Sequence, residues 1–194
     1  MRNSWAVSLV ASCSLLAGCA GSFEYRPLTL SGIQWQASNV SVVIQDERPV
    51  ASDTLPRVPV VTIGGGQEED MRLPSEFTEF ARWRLSQIIT GSGPRVRLVI
   101  LPEHVRAGWH ASAWSEKEVA TVRLRFRVTT EDGRRVLLEG SGNAQKEVSS
   151  GDASDRELAQ VFRAACNDAF DGFFASAGNI KLLNAATAPD APAK

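Results

Sequence analysis

The chain is poor in the residues that build metal, redox or disulfide sites. Its 194 residues include only three cysteines and two histidines. Two of the cysteines, Cys13 and Cys19, lie near the N-terminus, within or directly after the apolar stretch described below. Cys166 is the one cysteine in the rest of the sequence, so it has no second cysteine there with which to form a disulfide. Structural metal sites usually need four protein ligands and catalytic sites three. His104 and His110 have no third histidine, and an extended strand would turn the nearest carboxylate, Glu103, to the other face. We therefore expect a surface histidine pair, with no metal and no cofactor.

The chain also lacks an excess of one charge and a run of apolar residues long enough to cross a membrane. It has 21 basic and 22 acidic side chains, a net charge of −1. A near-neutral balance argues against nucleic acid as a partner. A membrane-spanning helix needs about 20 apolar residues, whereas the N-terminal stretch of apolar and small residues, 5–16, has 12. Such a stretch is typical of a signal peptide that is removed from the mature protein.

The end of that stretch indicates what replaces a membrane span. Leu16, Ala17, Gly18 and Cys19 follow one another directly, and this tetrapeptide resembles the lipobox of bacterial lipoprotein precursors at all four positions. The resemblance implies cleavage after Gly18, a diacylglycerol on the Cys19 sulfur and an acylated amino terminus. Several acyl chains give a stable anchor where one is marginal. Ala20 in place of an aspartate implies sorting to the outer membrane, on its periplasmic side. The alternative is an ordinary signal peptide with a coincidental cysteine, or a cytosolic apolar N-terminus.

The rest of the chain divides into a tether, one domain and a tail. We expect a signal peptide over 1–18, a lipidated tether over 19–38, a single domain over 39–183 and a disordered tail over 184–194. The 176 residues left after cleavage (194 − 18) are enough for one domain with a real core. At about 3.3 Å per residue the tether would reach about 60 Å, which would let the domain work well away from the bilayer.

Hydrophobic periodicity predicts an α+β fold with the order β-α-β-β-β-α. The strongest signal is the alternation of Val122, Leu124, Phe126 and Val128 with three arginines, which indicates a half-buried strand. The other predicted strands are 40–44, 96–101 and 136–146, and the predicted helices are 74–89 and 155–177. We expect a mostly antiparallel sheet with both helices packed on one face. Cys166 falls on the apolar stripe of the last helix, as an inert core thiol would.

The turn between the last two predicted strands is constrained by which side chains must share a face. A two-residue loop at Asp132 and Gly133 would set Phe126 opposite Glu139, which mixes core and solvent faces. A three-residue bulged loop with Gly133 in the left-handed conformation avoids this mismatch. It aligns the core residues of the first strand with those of the second: Phe126 and Val128 with Val136, Leu138 and Gly140.

Arginines supply the candidate binding face. We expect a basic patch on the exposed side of the sheet, partly neutralised by Glu118 and Glu139, formed by Arg95, Arg97, Arg123, Arg125 and Arg127. Guanidinium groups favour planar, bidentate recognition of carboxylate or phosphate. Suitable partners are an acidic envelope protein, a phospholipid headgroup or a glycan such as lipopolysaccharide. The alternative is a solvated face without a ligand.

Other motifs do not indicate catalysis. Ser141 lies between two glycines but in mid-strand, unlike the strand-to-helix elbow that exposes a hydrolase nucleophile. The glycines at 64–66 are followed by carboxylates at 68–70, which would repel phosphate. We therefore interpret 50–73 as a long flexible loop and expect no enzyme activity. An enzyme that uses His104 or His110 is kept as a further hypothesis.

The strand at 40–44 is followed by Asp46-Glu47-Arg48, and this motif, together with the element order, resembles the YajG-type family of proteobacterial outer-membrane lipoproteins. The resemblance implies a periplasm-facing binding or envelope-assembly module without known activity. Asp46 and Arg48 would either tie the strand end to a neighbouring loop or touch a ligand. The chain departs from the family in its longer loop at 50–73 and in its tryptophans. The alternative function is an auxiliary lipoprotein of a lipid or solute transport system.

Overall fold

The computed structural model describes residues 23, 34–49, 51–57, 65–111, 115–150 and 154–188. The predicted signal peptide and Cys19 lie outside these residues, as does most of the predicted tether. In chain order the elements are β1 Asn39–Ile44, β2 Gly65–Asp70, α1 Phe77–Ser86, β3 Arg95–Ala111, β4 Glu116–Thr130, β5 Val136–Ser150, α2 Asp155–Phe174 and α3 Ala177–Thr187. The expected α+β class, with a mostly antiparallel sheet and helices on one face, is confirmed.

The sheet has five strands, four of them in the order β1-β3-β4-β5, and β2 pairs with β3. β1 is parallel to β3, since the chain returns through α1 before β3 begins, and the other pairs are antiparallel. α2 packs over β4 and β5, while α1 packs beside β1. We call the face covered by the helices the inner face and the opposite one the outer face. The inward side chains of β3 and β4 are fully buried, among them Leu98, Ile100, Leu124, Phe126 and Val128.

Aromatic rings join α2 to the inner face. The ring of Phe126 stacks on Phe173 at 4.9 Å and meets Phe170 and Phe174 edge-on at 5.7 and 5.3 Å. Such ring pairs add about 0.5–1.5 kcal/mol each beyond the area they bury. Two glycines of β5 let the helix approach this closely. A Cβ at Gly142 would overlap the carbonyl oxygen of Ala169, and one at Gly140 would lie 2.5 Å from the Phe173 ring.

The hairpin between β4 and β5 confirms the predicted pairing of Phe126 and Val128, but the predicted loop length and the predicted core position of Val136, which is 50 % exposed, are wrong. Phe126 lies opposite Gly140 and Val128 opposite Leu138. Gly133 has a φ of 74°, the expected left-handed conformation. The Thr130 amide, however, donates to the Arg135 carbonyl at 2.9 Å, so the loop has four residues. A shift between Val128 and Thr129 corrects the register and sets Val136 opposite Thr129.

The region expected to be loop or irregular chain contains regular strand. β3 continues through a bulge between Pro102 and His104 as far as Ala111, and β2 pairs with this second half. The flexible loop expected at the three glycines is therefore wrong, since Gly65 and Gly66 belong to β2. The β2 sequence has low strand propensity, and its conformation comes from long-range pairing with β3. Residues 58–64 of the predicted loop lie outside the described residues.

The expected tether and tail both give residues to the domain. Trp35 and Ala37 are fully buried, and Phe23 is 3 % exposed. Predicted tail residue Asn184 lies in α3, where its amide group donates to the Gln34 carbonyl at 2.9 Å and its side-chain oxygen accepts from the Gln36 amide at 2.8 Å. The boundaries at 38 and 184 are therefore wrong for the described residues. The sequence pattern missed Trp35 and α3 because both are held in place by contacts with distant parts of the domain.

A new helix, α3, begins shortly after α2 because Ser176 provides an N-cap. The last predicted helix was to reach 177, but α2 ends at Phe174. The Ser176 hydroxyl then accepts a hydrogen bond from the Asn179 amide at 3.4 Å, an N-cap for α3. Ile180 and Leu183, three residues apart, are fully buried and fix the new helix against the core.

Candidate functional site

The candidate site is the outer face of the sheet, which carries the five predicted arginines. Arg95 and Arg97 lie on β3, and Arg123, Arg125 and Arg127 lie on β4. Strand alternation turns all five outward because the residues between them point into the core. The register sets Leu101 opposite Arg125 and Val99 opposite Arg127. The structure thus brings the predicted residues to one surface, with apolar side chains between them.

Carboxylates neutralise three of these arginines. Arg95 lies 3.5 Å from Glu131, and Arg127 lies 3.1 Å from Glu139, the partner expected from the hairpin register. Arg125 donates from its Nε to Glu103 at 2.6 Å. Exposed pairs of this kind contribute about 0–1 kcal/mol each, but they reduce the positive charge that a ligand meets.

The position of Glu103 corrects an expectation. On a regular strand Glu103 and His104 would point to opposite faces, but the bulge between Pro102 and His104 adds an unpaired residue to β3. Glu103 keeps the outward alternation of Val99 and Leu101 and reaches Arg125, and the bulge brings His104 to the same outer face, opposite Arg123. Glu118, expected to neutralise the arginines, is fully buried on the inner face, where it accepts a hydrogen bond from the Ser154 amide at 3.0 Å.

The guanidinium groups of Arg97 and Arg123 have no ion pair or hydrogen bond to any residue that the structure describes, and both side chains are exposed. Arg123 borders a shallow groove of about 360 Å³ with His104, Thr121, Asn143 and Gln145. Threonine, asparagine and glutamine both donate and accept hydrogen bonds, whereas the Arg123 guanidinium adds only donors and a positive charge. The groove therefore suits a carboxylate or a phosphate oxygen better than a cation.

The two histidines do not form a metal site. His104 borders the groove, whereas His110 lies six residues further along β3, where its Nε2 lies 2.9 Å from Glu68 Oε1. Arg106 donates to the Glu68 carbonyl at 2.9 Å. Within the described ranges no group of three or more histidine, cysteine or carboxylate side chains could hold a metal ion. Sequence reasoning missed the His110–Glu68 contact because it did not predict β2.

Asp46 and Arg48 tie the end of β1 to its neighbours. Arg48 bonds both carboxylate oxygens of Asp46, at 2.9 and 2.7 Å, and donates to the carbonyls of Met71 and Val105 at 2.6 and 3.4 Å. Burial raises the pKa of Asp46, but the hydrogen bonds from Arg48 outweigh it and hold this pKa below its usual value. The pair was expected either to tie the strand end to its neighbours or to touch a ligand, and these contacts support the tie.

Three further polar features of the described residues are a thiol, a mid-strand serine and an ion pair between two helices. Cys166 is fully buried, which confirms its expected place in the core, and burial raises the pKa of its thiol. Ser141 lies in mid-strand within β5. Between the helices Arg84 donates to Asp171 at 2.5 Å, and burial raises the pKa of Asp171 to about 6 although Arg84 opposes the shift. Sequence analysis missed this pair, whose Arg84 side chain is only 4 % exposed.

Comparison with known proteins yields a structural likeness but no family. No family model matches the chain, and no curated protein matches it. Among solved structures, the chain is similar to a crystal structure of a Xanthomonas campestris protein described by the family model DUF330. The two share 15 % identity and a TM-score of 0.46, over 74 % of this chain and 81 % of the other. In the part of the chain described here, no helix is long and apolar enough to cross a membrane.

Proposed function

We propose that this chain is the precursor of a lipoprotein that is anchored through Cys19 on the periplasmic side of the outer membrane. Its domain acts as a non-enzymatic binding or envelope-assembly accessory. The lipobox supports the anchor. The observation that carries the binding role is the open outer face, where Arg97 and Arg123 lack a carboxylate partner among the described residues.

The spacing of the two free arginines favours a large partner over a small anion. Arg97 lies opposite Thr129 on β4, six residues from Arg123. At about 3.4 Å per residue this is about 20 Å along the sheet, which is too far for both guanidinium groups to grip one phosphate. An acidic surface of an envelope protein could engage both, and the apolar side chains of Val99 and Leu101 between them would add contact area.

Cross-linking in intact cells tests this role. A photoreactive amino acid at Leu101 or Ser141, both opposite Arg125 on the outer face, should capture the same partner, and one at Arg82, exposed on α1, should not. The double reversal Arg97→Glu with Arg123→Glu should abolish capture by a probe at Ser141 on the same face, whereas Arg82→Glu should not. Cross-linking yields at 101 and 141 no higher than at 82 would refute the binding role.

The identity of the captured molecule decides between the two forms of the proposal. An envelope-assembly protein or peptidoglycan supports the accessory role, whereas a transporter subunit supports the auxiliary lipoprotein of a lipid or solute transport system. Capture of lipid or lipopolysaccharide alone would indicate that the ligand of the outer face is an anionic lipid or glycan rather than a protein.

Lipidation has its own test. Cells fed a labelled fatty acid should incorporate the label into this protein and should release a mature chain that begins at Cys19. Cys19→Ala should abolish both the label and the cleavage, while Cys13→Ala in the signal region should change neither. Unlabelled protein that is still cleaved would indicate an ordinary signal peptide.

We also propose kinship with the YajG-type lipoproteins, which the tie between Asp46 and Arg48 supports by giving that motif a structural purpose. A solved YajG-type structure should then show its Asp-x-Arg arginine bonded to backbone carbonyls of the neighbouring strand. An arginine that points into solvent there would remove this support.

A further inference from the structure

The first described residue fixes where the N-terminus meets the domain. Phe23 is 3 % exposed, and its ring stacks on Phe80 at 4.7 Å between centroids and contacts Phe77 at 5.7 Å. Both partners lie on α1, within the helical layer that covers the inner face. The mature N-terminus therefore enters the domain on the helical side, opposite the five arginines.

The chain between the lipid and this contact is short. Four residue steps separate Cys19 from Phe23, and at about 3.3–3.6 Å per residue they span at most about 14 Å. A domain of about 150 residues has a radius of gyration of about 15 Å. The reach is thus smaller than the domain itself, in contrast to the 60 Å that a free tether over 19–38 would allow.

From this reach we propose that α1 lies against the membrane surface and that the outer face points away from it. The proposal rests on the proposed lipidation of Cys19. Its partner is the leaflet that holds the acyl chains. The exposed side chains Glu79 and Arg82 of α1 have opposite charges, so the covalent anchor rather than headgroup charge sets this orientation. Arg97 and Arg123 are thereby presented to partners in the periplasm.

Fluorescence quenching in vesicles tests the orientation. Lipidated protein carrying Glu79→Cys on α1 or Ser141→Cys on the outer face is labelled with bimane and reconstituted into phosphatidylcholine vesicles that contain a headgroup nitroxide. Cys166 is fully buried and Cys19 is acylated, so the label reports the introduced cysteine. We expect at least threefold stronger quenching at position 79 than at 141. A 20-residue Gly/Ser insert between Gly21 and Ser22 should remove the difference.

Each outcome has one meaning. Equal quenching at the two positions without the insert, or stronger quenching at 141, overturns the orientation. A difference that survives the insert overturns the short connection as its cause. Protein that stays out of the vesicle pellet, and whose mass lacks the acyl groups, instead refutes lipidation and with it the proposed function. A Phe23→Leu variant keeps an apolar contact on α1 and should retain the difference.

Discussion

Replacement of Gly142 by alanine tests the close packing of α2 on the sheet. The new Cβ would overlap the carbonyl oxygen of Ala169, a backbone atom in the middle of a 20-residue helix. A side chain can rotate out of such a clash, but this carbonyl can move only with the helix. Overpacking of a core usually costs about 1–3 kcal/mol, and a backbone clash belongs at or above the upper end. We therefore expect Gly142→Ala to lower the free energy of unfolding by about 3 kcal/mol.

Gly172, directly across this contact, provides the matched control. A Cβ there would meet only the Gly142 Cα, at an ordinary 4.0 Å. Alanine is favoured over glycine in helices by about 1 kcal/mol, so Gly172→Ala should leave stability unchanged or raise it.

Thermal unfolding of the mature protein measures both changes. At about 2–4 °C per kcal/mol for this size, Gly142→Ala should lower the Tm by about 6–12 °C. If the Tm values of both variants lay within 1 °C of that of the parent protein, the described approach of α2 to β5 would be contradicted.

Three further predictions concern titratable groups. The pKa of Asp46 is held low in the folded protein, so its contribution is complete above its usual pKa of 3.8 and is lost as the pH falls through the lower folded value. Asp46→Asn should lower the free energy of urea unfolding at pH 7 by about 1–2 kcal/mol. It should also reduce the loss of stability as the pH falls below about 4, and an unchanged loss would contradict the tie to Arg48. The pKa of Asp171 is raised to about 6, so the sign is reversed: stability should fall as the pH rises from about 4 to 6 and then level off. Asp171→Asn should remove that slope, and a slope retained in this variant would assign it elsewhere. Burial raises the pKa of the Cys166 thiol, so it should react with a thiol reagent at pH 8 only at the rate of unfolding; rapid reaction in native buffer would show that it is accessible.

The parts of the fold that the sequence predicts are those decided by local pattern. Alternation along β4 determined which side chains face the core, and the pairing of Phe126 with Gly140 followed from keeping like faces together. Gly133 was placed correctly because only its left-handed conformation turns the chain there. Each of these predictions depends only on residues that are close together in the chain, so a single sequence is enough to make them.

The elements that were missed depend on distant partners. β2 has no apolar alternation and becomes a strand because the second half of β3 offers it an edge. Trp35 is buried by residues that follow it much later in the chain, among them Phe174, whose ring lies 6.3 Å away. Phe23 likewise gains its burial from α1. A segment with weak periodicity looks like a tether until the surface it packs against is known.

The candidate site shows the same division. The sequence correctly placed five arginines on one face, but whether each is free depends on one register and one bulge. In the regular register Glu103 would lie directly opposite Arg123, whereas the bulge between Pro102 and His104 sets His104 there and leaves Glu103 to pair with Arg125. With the bulge, the centre is balanced and the free cations remain about 20 Å apart, near opposite ends of the patch. Because α1 lies on the far side of the sheet, this face is also the surface that the proposed short lipid connection would leave accessible. Binding at this site should therefore depend on two separated contacts, and the loss of either arginine should weaken it more than the loss of Arg125 between them.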